Sequence, residues 1–154
     1  MSIEIQRANL DTPEFAALID AHAQLMLSLS PPGSCHFLPM EGLCRPDVTV
    51  WEMRDGDDLV GCGGLQELSS AHGEIKSMHT LNAHRGAGLG RKMLEHILSE
   101  AQRRGYTRLS LETGSMDGFI PSRTLYQSCG FEICPPFGDY VEDPNSVFMT
   151  LRLD

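Results

Sequence analysis

With 154 residues, 41% of them hydrophobic and 21% charged, the chain has the length and composition of one globular domain, which we expect to span residues 1–154. Its formal net charge of -9 disfavours binding to nucleic acid, which needs a basic surface. Charges interrupt the long apolar stretches, and the N-terminus lacks the basic start and apolar core of a signal peptide, so we expect a cytoplasmic protein that makes no membrane contact.

The N-terminal part predicts a strand, a helix and a long loop. Ile3 and Ile5 alternate with polar residues, as on a half-buried strand. Thr12 and Pro13 supply an N-cap and a first-turn proline for a helix whose apolar residues recur as far as Leu29. Prolines and glycines end this helix and recur between residues 30 and 46, which predicts a loop with room for one short helix.

A β-hairpin is predicted next. Residues 48–54 and 59–66 are β-branched or apolar, and they flank the turn signal at residues 55–58. Three glycines weaken the second strand and indicate a bulge or a close backbone approach: Gly61, Gly63 and Gly64. Residues 74–81 predict a further strand.

The C-terminal half alternates helices with strands. A helix ends at Gly105, a strand follows at residues 107–111, and a second helix follows at residues 121–129. A short strand is predicted near residue 131 and a last one at residues 147–153. The order β-α-loop-β-β-β-α-β-α-β-β is mixed, which favours an α+β fold with helices packed on a sheet.

The stretch Arg85-Gly86-Ala87-Gly88-Leu89-Gly90, the glycine loop, lies between a strand and a helix. The first amides of a helix lack intrahelical partners, and glycines let the backbone approach an anion closely. Arg91 and Lys92 add positive charge on an otherwise acidic chain, so the loop indicates a phosphate site, although a tight turn would explain the glycines equally well. The third glycine of a dinucleotide-binding loop is missing, because Arg91 stands there.

Two motifs carry a resemblance to a known family. Arg85, Gly88 and Gly90 satisfy [QR]-x-x-G-x-[GA], and Leu125-Tyr126-Gln127-Ser128-Cys129-Gly130-Phe131 matches L-Y-x-x-x-G-F. In both, the sequence resembles the GNAT superfamily of acyl-CoA-dependent N-acetyltransferases, and its less-characterised bacterial members in particular. The resemblance implies a single N-acetyltransferase domain with a mixed, mostly antiparallel twisted sheet of six to seven strands, about four flanking helices and a splayed central strand pair.

The resemblance also implies acetyl-CoA as co-substrate. Its pyrophosphate would lie on the glycine loop, and the strand before the loop would pair with the pantetheine arm while backbone amides polarise the thioester carbonyl. The cofactor-binding residues implied are Met78, His79, Thr80, Arg85, Gly86, Ala87, Gly88, Leu89, Gly90, Arg91 and Tyr126. Many relatives carry a cofactor-contacting asparagine where this chain has Phe119, so the contact on that side must be made differently.

Acyl transfer to an amine needs a neutral nucleophile, and an alkyl amine with a pKa near ~10 needs a base or a water chain to remove its proton. The resemblance implies Glu74 as this base, with Glu112 and His79 in reserve. Glu74 would otherwise be a solvated strand residue beside Lys76. Tyr126 is implied as the general acid for the departing thiolate, its alternative being a tyrosine of the core.

The cysteines predict no further chemistry. The five residues have no Cys-x-x-Cys spacing, so we expect buried free thiols and no metal site. Cys129 follows Tyr126 by one turn, but no histidine stands beside it to activate a nucleophile. We therefore expect direct transfer in a ternary complex.

The acceptor is predicted to be a small-molecule or peptide amine bound between two loops, residues 34–37 and 137–145. Asp139, Glu142 and Asp143 in the second loop would suit a cationic amine, although an exposed acidic loop explains them as well. A non-catalytic acyl-CoA-binding module remains the alternative function, and a dinucleotide-binding oxidoreductase is a distant third. Whether the protein forms a homodimer stays open.

Overall fold

The structure is a computed structural model that describes residues 3–31, 38–81 and 85–154. Within these residues the chain forms seven strands and four helices, with a short 3-10 turn at Asp117–Phe119. Their order is β1 (Ile3–Arg7), α1 (Pro13–Leu29), α2 (Met40–Leu43), β2 (Val48–Asp55), β3 (Asp58–Ser69), β4 (His72–Thr80), α3 (Leu89–Arg103), β5 (Arg108–Gly114), α4 (Ile120–Ser128), β6 (Glu132–Cys134) and β7 (Ser146–Arg152). The predicted order of elements is confirmed, including a short helix in the first loop.

Local signals explain where the helices begin and end. The hydroxyl of Thr12 accepts a hydrogen bond from the amide of Phe15 at 3.2 Å, and Pro13 opens α1, as the sequence predicts. Gly105 and Gly130 follow α3 and α4 with φ angles of 82° and 98°, which lie in the left-handed region that favours glycine.

The seven strands form one sheet in the order β1-β2-β3-β4-β5-β7-β6. Strands β4 and β5 run parallel, whereas the other neighbouring pairs are antiparallel. This arrangement confirms the α+β fold with a mostly antiparallel sheet. Helix α1 packs on one face with a cluster around Phe15 and Leu18, and α3 packs on the other with a cluster around Met93 and Ile97.

The parallel pair is splayed. Strands β4 and β5 pair from His72 opposite Arg108 to Glu74 opposite Ser110, and their pairing ends there. Beyond that point β4 continues to Thr80 and β5 to Gly114, so the two strands diverge and leave a cleft in the middle of the sheet. The predicted splayed central strand pair is confirmed.

A bulge lies at the start of the splayed half of β4. Cys62 pairs with His79 and Gly64 with Lys76, so β4 carries one extra residue against β3. Ser77 takes a φ of 54° there, and its carbonyl accepts from the Cys62 thiol at 3.1 Å. A Cβ at Gly63 would lie 2.6 Å from the Met93 Cγ, so both the bulge and the close backbone approach are confirmed.

The prediction that the cysteines are buried free thiols is confirmed only in part. Cys62 is buried and free, as predicted, but Cys44 is exposed because it ends α2 in a surface turn, and Cys129 and Cys134 are partly exposed. The prediction of buried thiols is therefore wrong for these three.

In the three described stretches no helix has the length and apolarity needed to cross a membrane, and the cytoplasmic location stays a prediction.

Candidate active site

The cleft between the diverging strands is lined by residues from distant parts of the sequence. Strands β4 and β5 form its floor, α1 and α4 contribute walls, and the loop between β6 and β7 closes one side. Among the lining residues are the two predicted catalytic side chains and several charged or aromatic neighbours: Glu74, Lys76, Glu112, Phe119, Tyr126 and Tyr140.

Glu74 sits at the point where the cleft opens. It is the last residue of β4 that pairs with β5, and it is only 3% exposed. Its Oε2 accepts a hydrogen bond from the Tyr140 hydroxyl at 2.7 Å. The same oxygen forms an ion pair with the Lys76 ammonium at 2.8 Å. The contact with Lys76 is as expected. The alternative that Glu74 is a solvated strand residue is wrong, because its side chain is buried and is held by the polar partners that a buried carboxylate needs.

Tyr140 comes from the loop between β6 and β7 and reaches over the sheet to β4. Its hydroxyl accepts from the Lys76 ammonium at 3.0 Å while donating to Glu74. Burial, followed by the Glu74 charge, raises the pKa of Tyr140, so the phenol stays protonated and remains a donor. Sequence reasoning placed Tyr140 only in an acceptor loop, because no local pattern links it to a residue 66 positions earlier.

Tyr126 reaches the cleft from the opposite face of the sheet. It belongs to the apolar cluster on the α3 side, with its ring edge against Phe131, whereas Glu74 alternates with Ile75 and points to the α1 side. Burial raises the pKa of Tyr126, and the Glu112 charge raises it further, so the hydroxyl is protonated at neutral pH. Tyr126 is therefore both a core residue and a residue of the cleft.

The two reserve candidates for the base differ in position. Glu112 lines the cleft on β5, two residues beyond the last paired residue. His79 is buried, and its Nδ1 lies 3.1 Å from the Nδ1 of His22 on α1. Burial, then the neighbouring His22 and Arg85, lowers the pKa of His79 to about 4, and burial lowers that of His22 to about 4, so both rings are neutral at pH 7.

The glycine loop has the backbone that the motif predicts. Gly86 and Gly88 have φ angles of 83° and 79°, and a Cβ at either would meet nothing within 4 Å. Gly88 caps α3, whose first turn contains no acidic residue, and the Arg85 guanidinium donates to the Thr80 carbonyl at 3.0 Å. The open glycine surface at a helix start fits a pyrophosphate.

Arg91, predicted to bind the cofactor, has protein partners as well. Its guanidinium donates to the Ser128 hydroxyl and to the Cys129 thiol at the end of α4. Arg91 thus ties α3 to α4 beside the glycine loop. Its contact with the cofactor, like the other cofactor assignments, stays a prediction.

We expect Gly88→Ala to raise the KM for acetyl-CoA about tenfold, which corresponds to the loss of one hydrogen bond to a charged group. Alanine is strained at a positive φ, so the loop backbone shifts away from the geometry that presents its amides. Steady-state kinetics with varied acetyl-CoA measure this. Gly56→Ala is the matched control, because Gly56 has a φ of 61° in the β2–β3 turn. An equal effect of both changes would contradict a role of the loop in binding.

Phe119 stands where the family resemblance leads us to expect an asparagine. Its side chain is 6% exposed and lines the cleft. The ring packs directly on Gly114 at the end of β5, where a Cβ would overlap it. The cleft wall on this side is therefore apolar, because Phe119 offers no side-chain amide.

We expect Gly114→Ala to lower the free energy of unfolding by ~1–3 kcal/mol, the usual cost of inserting a methyl group into a packed site. Denaturant unfolding measures the change. The double variant Gly114→Ala with Phe119→Leu should recover part of the loss, because leucine leaves room for the new methyl group. Additive losses in the double variant would rule out the proposed overlap.

The acceptor loops are only partly accounted for. Residues 34–37 lie outside the described residues. In the second loop Tyr140 lines the cleft, but Asp139 and Glu142 are exposed, and Asp143 accepts from the Asn145 amide at 2.8 Å. The carboxylates that line the cleft are Glu74 and Glu112, which sequence reasoning had assigned to catalysis rather than to acceptor binding.

Known proteins resemble this chain in sequence and in structure. The model of the Acetyltransferase (GNAT) family matches residues 18–131. A Bacillus subtilis protein, the uncharacterized N-acetyltransferase YsnE, is 50% identical over 151 residues, which cover 98% of this chain and 100% of that protein.

Two solved structures show the same fold. A Klebsiella pneumoniae protein, provisionally named an acyl-CoA N-acyltransferase, matches with a TM-score of 0.80 and 29% identity, covering 99% of this chain and 98% of that chain. A GNAT family acetyltransferase from Elizabethkingia anophelis with acetyl-CoA bound matches with a TM-score of 0.69 and 19% identity, covering 98% of each chain.

Proposed function

Since this chain belongs to the GNAT family of acetyltransferases, we propose that it moves the acetyl group of acetyl-CoA to a primary amine by direct attack in a ternary complex. One observation carries the proposal. Glu74 and Tyr126 approach one cleft from opposite faces of the sheet, at the place where β4 and β5 separate. A base and an acid are thus available on two sides of one reaction space.

Three features support acetyl-CoA as the co-substrate. The glycine loop presents an open surface at the start of α3, with Arg85, Arg91 and Lys92 nearby. The splayed half of β4, including Met78, lines the cleft and has lost its pairing with β5. The Elizabethkingia protein of the same fold has acetyl-CoA bound.

Glu74 is the proposed base. It would take a proton from the incoming ammonium group, after which the neutral nitrogen attacks the acetyl carbon. The bond from nitrogen to carbon forms as the bond from carbon to sulfur breaks. Glu112 lines the same cleft and is the next candidate, whereas the His79 ring is engaged with His22.

Tyr126 is the proposed acid. A departing thiolate, whose conjugate thiol has a pKa near ~8.5 by analogy with cysteine, would accept its proton, and the second proton of the attacking nitrogen would restore the phenol. Burial raises the pKa of Tyr126, so it is a weaker acid than an ordinary phenol. Hydrogen bonding to the developing negative charge on sulfur is therefore a large part of its proposed contribution.

The charges of the cleft favour an acceptor that arrives as a cation. Glu74 and Glu112 supply two carboxylates, and Lys76 supplies one ammonium that is already paired with Glu74. An ammonium group would be attracted to this site and could lose its proton there. The surface acids of the β6–β7 loop are not needed for this proposal.

A thiol-release screen tests the proposed function. The protein is incubated with acetyl-CoA and a panel of polyamines, amino sugars, amino acids and lysine peptides, and free CoA is measured with a thiol reagent. We expect release that depends on both substrates, with the acetylated amine identified by mass spectrometry. Binding of acetyl-CoA without turnover across the panel would favour the non-catalytic acyl-CoA-binding module instead.

A further inference from the structure

The Glu74 carboxylate is one corner of a closed hydrogen-bonded triangle at the cleft. Lys76 contacts Glu74 Oε2 at 2.8 Å, Tyr140 donates to the same oxygen at 2.7 Å, and Lys76 donates to the Tyr140 hydroxyl at 3.0 Å. Both bonds to the carboxylate therefore fall on Oε2. Since Glu74 also lines the cleft, Oε1 is the oxygen left to face an acceptor.

Tyr140 is held firmly enough to orient its neighbour. Its ring packs against Phe137 and Phe148, with ring centroids 5.2 and 5.3 Å away. The loop that carries it is fastened to the end of β5, where the Ser115 amide donates to the Asn145 carbonyl at 3.0 Å. The hydroxyl thus reaches Glu74 from a packed element, as orientation of a catalytic group requires.

We propose that Tyr140 is a positioning residue that holds the Glu74 carboxylate by its Oε2 and turns Oε1 toward the acceptor. The catalytic role of Tyr140 rests on the proposed function, whereas its hydrogen bond to Glu74 does not. The hydrogen bond itself favours the charged carboxylate, because a donor stabilises the anion more than the acid. The C-terminal loop would then contribute to the chemistry as well as to the cleft wall.

Other titratable groups lie around Glu74, and a test must separate their effects. In the described part of the chain these are Lys76 and His72 on β4, Glu112 on β5, Tyr126 on α4, His22 on α1 and Tyr140 itself. Tyr140→Phe removes one hydroxyl and leaves the ring packing and these other groups in place. Any change in Glu74 titration is then due to the hydroxyl.

The first measurement needs no acceptor. Protein labelled with ¹³C at the glutamate side-chain carboxyls is titrated by NMR, with the Glu74 signal assigned from Glu74→Gln. We expect Tyr140→Phe to move the Glu74 titration midpoint up by about one pH unit, the equivalent of one hydrogen bond to a charged group. Tyr106→Phe is the matched control, since the Tyr106 ring belongs to the core on the α3 side and its hydroxyl donates to the exposed Glu67 at 2.6 Å.

The outcomes distinguish the inference from the proposed function. An unchanged Glu74 midpoint in Tyr140→Phe, or an equal shift in Tyr106→Phe, overturns the positioning role whether or not transfer is observed. A shift confined to Tyr140→Phe supports it, and the acidic limb of the kcat/KM profile with any amine from the screen should then move in the same direction. If the Glu74 midpoint shifts in Tyr140→Phe but the unmodified protein acetylates no amine of the screen, the hydrogen bond is established and the proposed function is refuted.

Discussion

We expect Glu74→Gln to lower kcat/KM for the amine by about 100-fold or more, the usual contribution of a general base. Glutamine keeps the size of the side chain and can still accept from Tyr140, but it cannot take a proton from an ammonium group. The remaining activity should have lost the acidic limb of its pH profile, because the amine must then arrive already neutral. Initial rates across pH measure both effects.

Two matched changes show whether the effect belongs to Glu74. Glu112→Gln removes the other carboxylate of the cleft and should leave the acidic limb in place. Glu67→Gln removes an exposed carboxylate that accepts from the Tyr106 hydroxyl, and it should leave catalysis nearly unchanged. If Glu74→Gln retains the wild-type profile while Glu112→Gln loses it, the base is Glu112.

We expect Tyr126→Phe to lower kcat by about 10- to 100-fold while the Kd for acetyl-CoA stays nearly constant, because the proposed general acid would act on the departing sulfur rather than on cofactor binding. The phenylalanine ring preserves the edge contact with Phe131 and the core packing on the α3 side. Calorimetric titration with acetyl-CoA gives the affinity, and turnover with a saturating amine gives kcat.

The control for Tyr126 is Tyr106, which is not among the residues that line the cleft. Tyr106→Phe removes a buried hydroxyl from the same apolar cluster and should leave both quantities within about twofold, as expected for a change that touches neither substrate. Unaltered kcat in Tyr126→Phe would refute the acid role. A loss of acetyl-CoA affinity equal to the loss in turnover would show that Tyr126 acts in binding.

Part of the fold follows from local chemistry and could be predicted. The Thr12 cap, the glycines after α3 and α4, and the turn between β2 and β3 act within a few residues, so their signals are contiguous in the sequence. The placement of β7 between β5 and β6 has no such signal, since strand order is decided by which apolar faces meet in three dimensions. The splayed pair was predictable only through the family resemblance.

The same distinction applies to the candidate site. Glu74 and Tyr126 could be selected only through the family resemblance, and the alternation around Glu74 fits a solvated strand as well as a buried one. Burial is imposed by the Tyr140 loop, which packs on the sheet because the Phe137 and Tyr140 rings both contact Phe148 of β7. Nor does the sequence show that the Phe119 ring packs on Gly114, because this contact depends on the path of the backbone after β5.

Direct acetyl transfer within one cleft can be tested by an initial-rate study in which the concentrations of acetyl-CoA and of the best amine are varied together. Direct transfer predicts intersecting reciprocal plots, release of CoA in equal amount to the acetylated amine, and no acetyl group on the protein. Parallel plots with an acetylated protein intermediate, or CoA release without any acetylated amine, would contradict it.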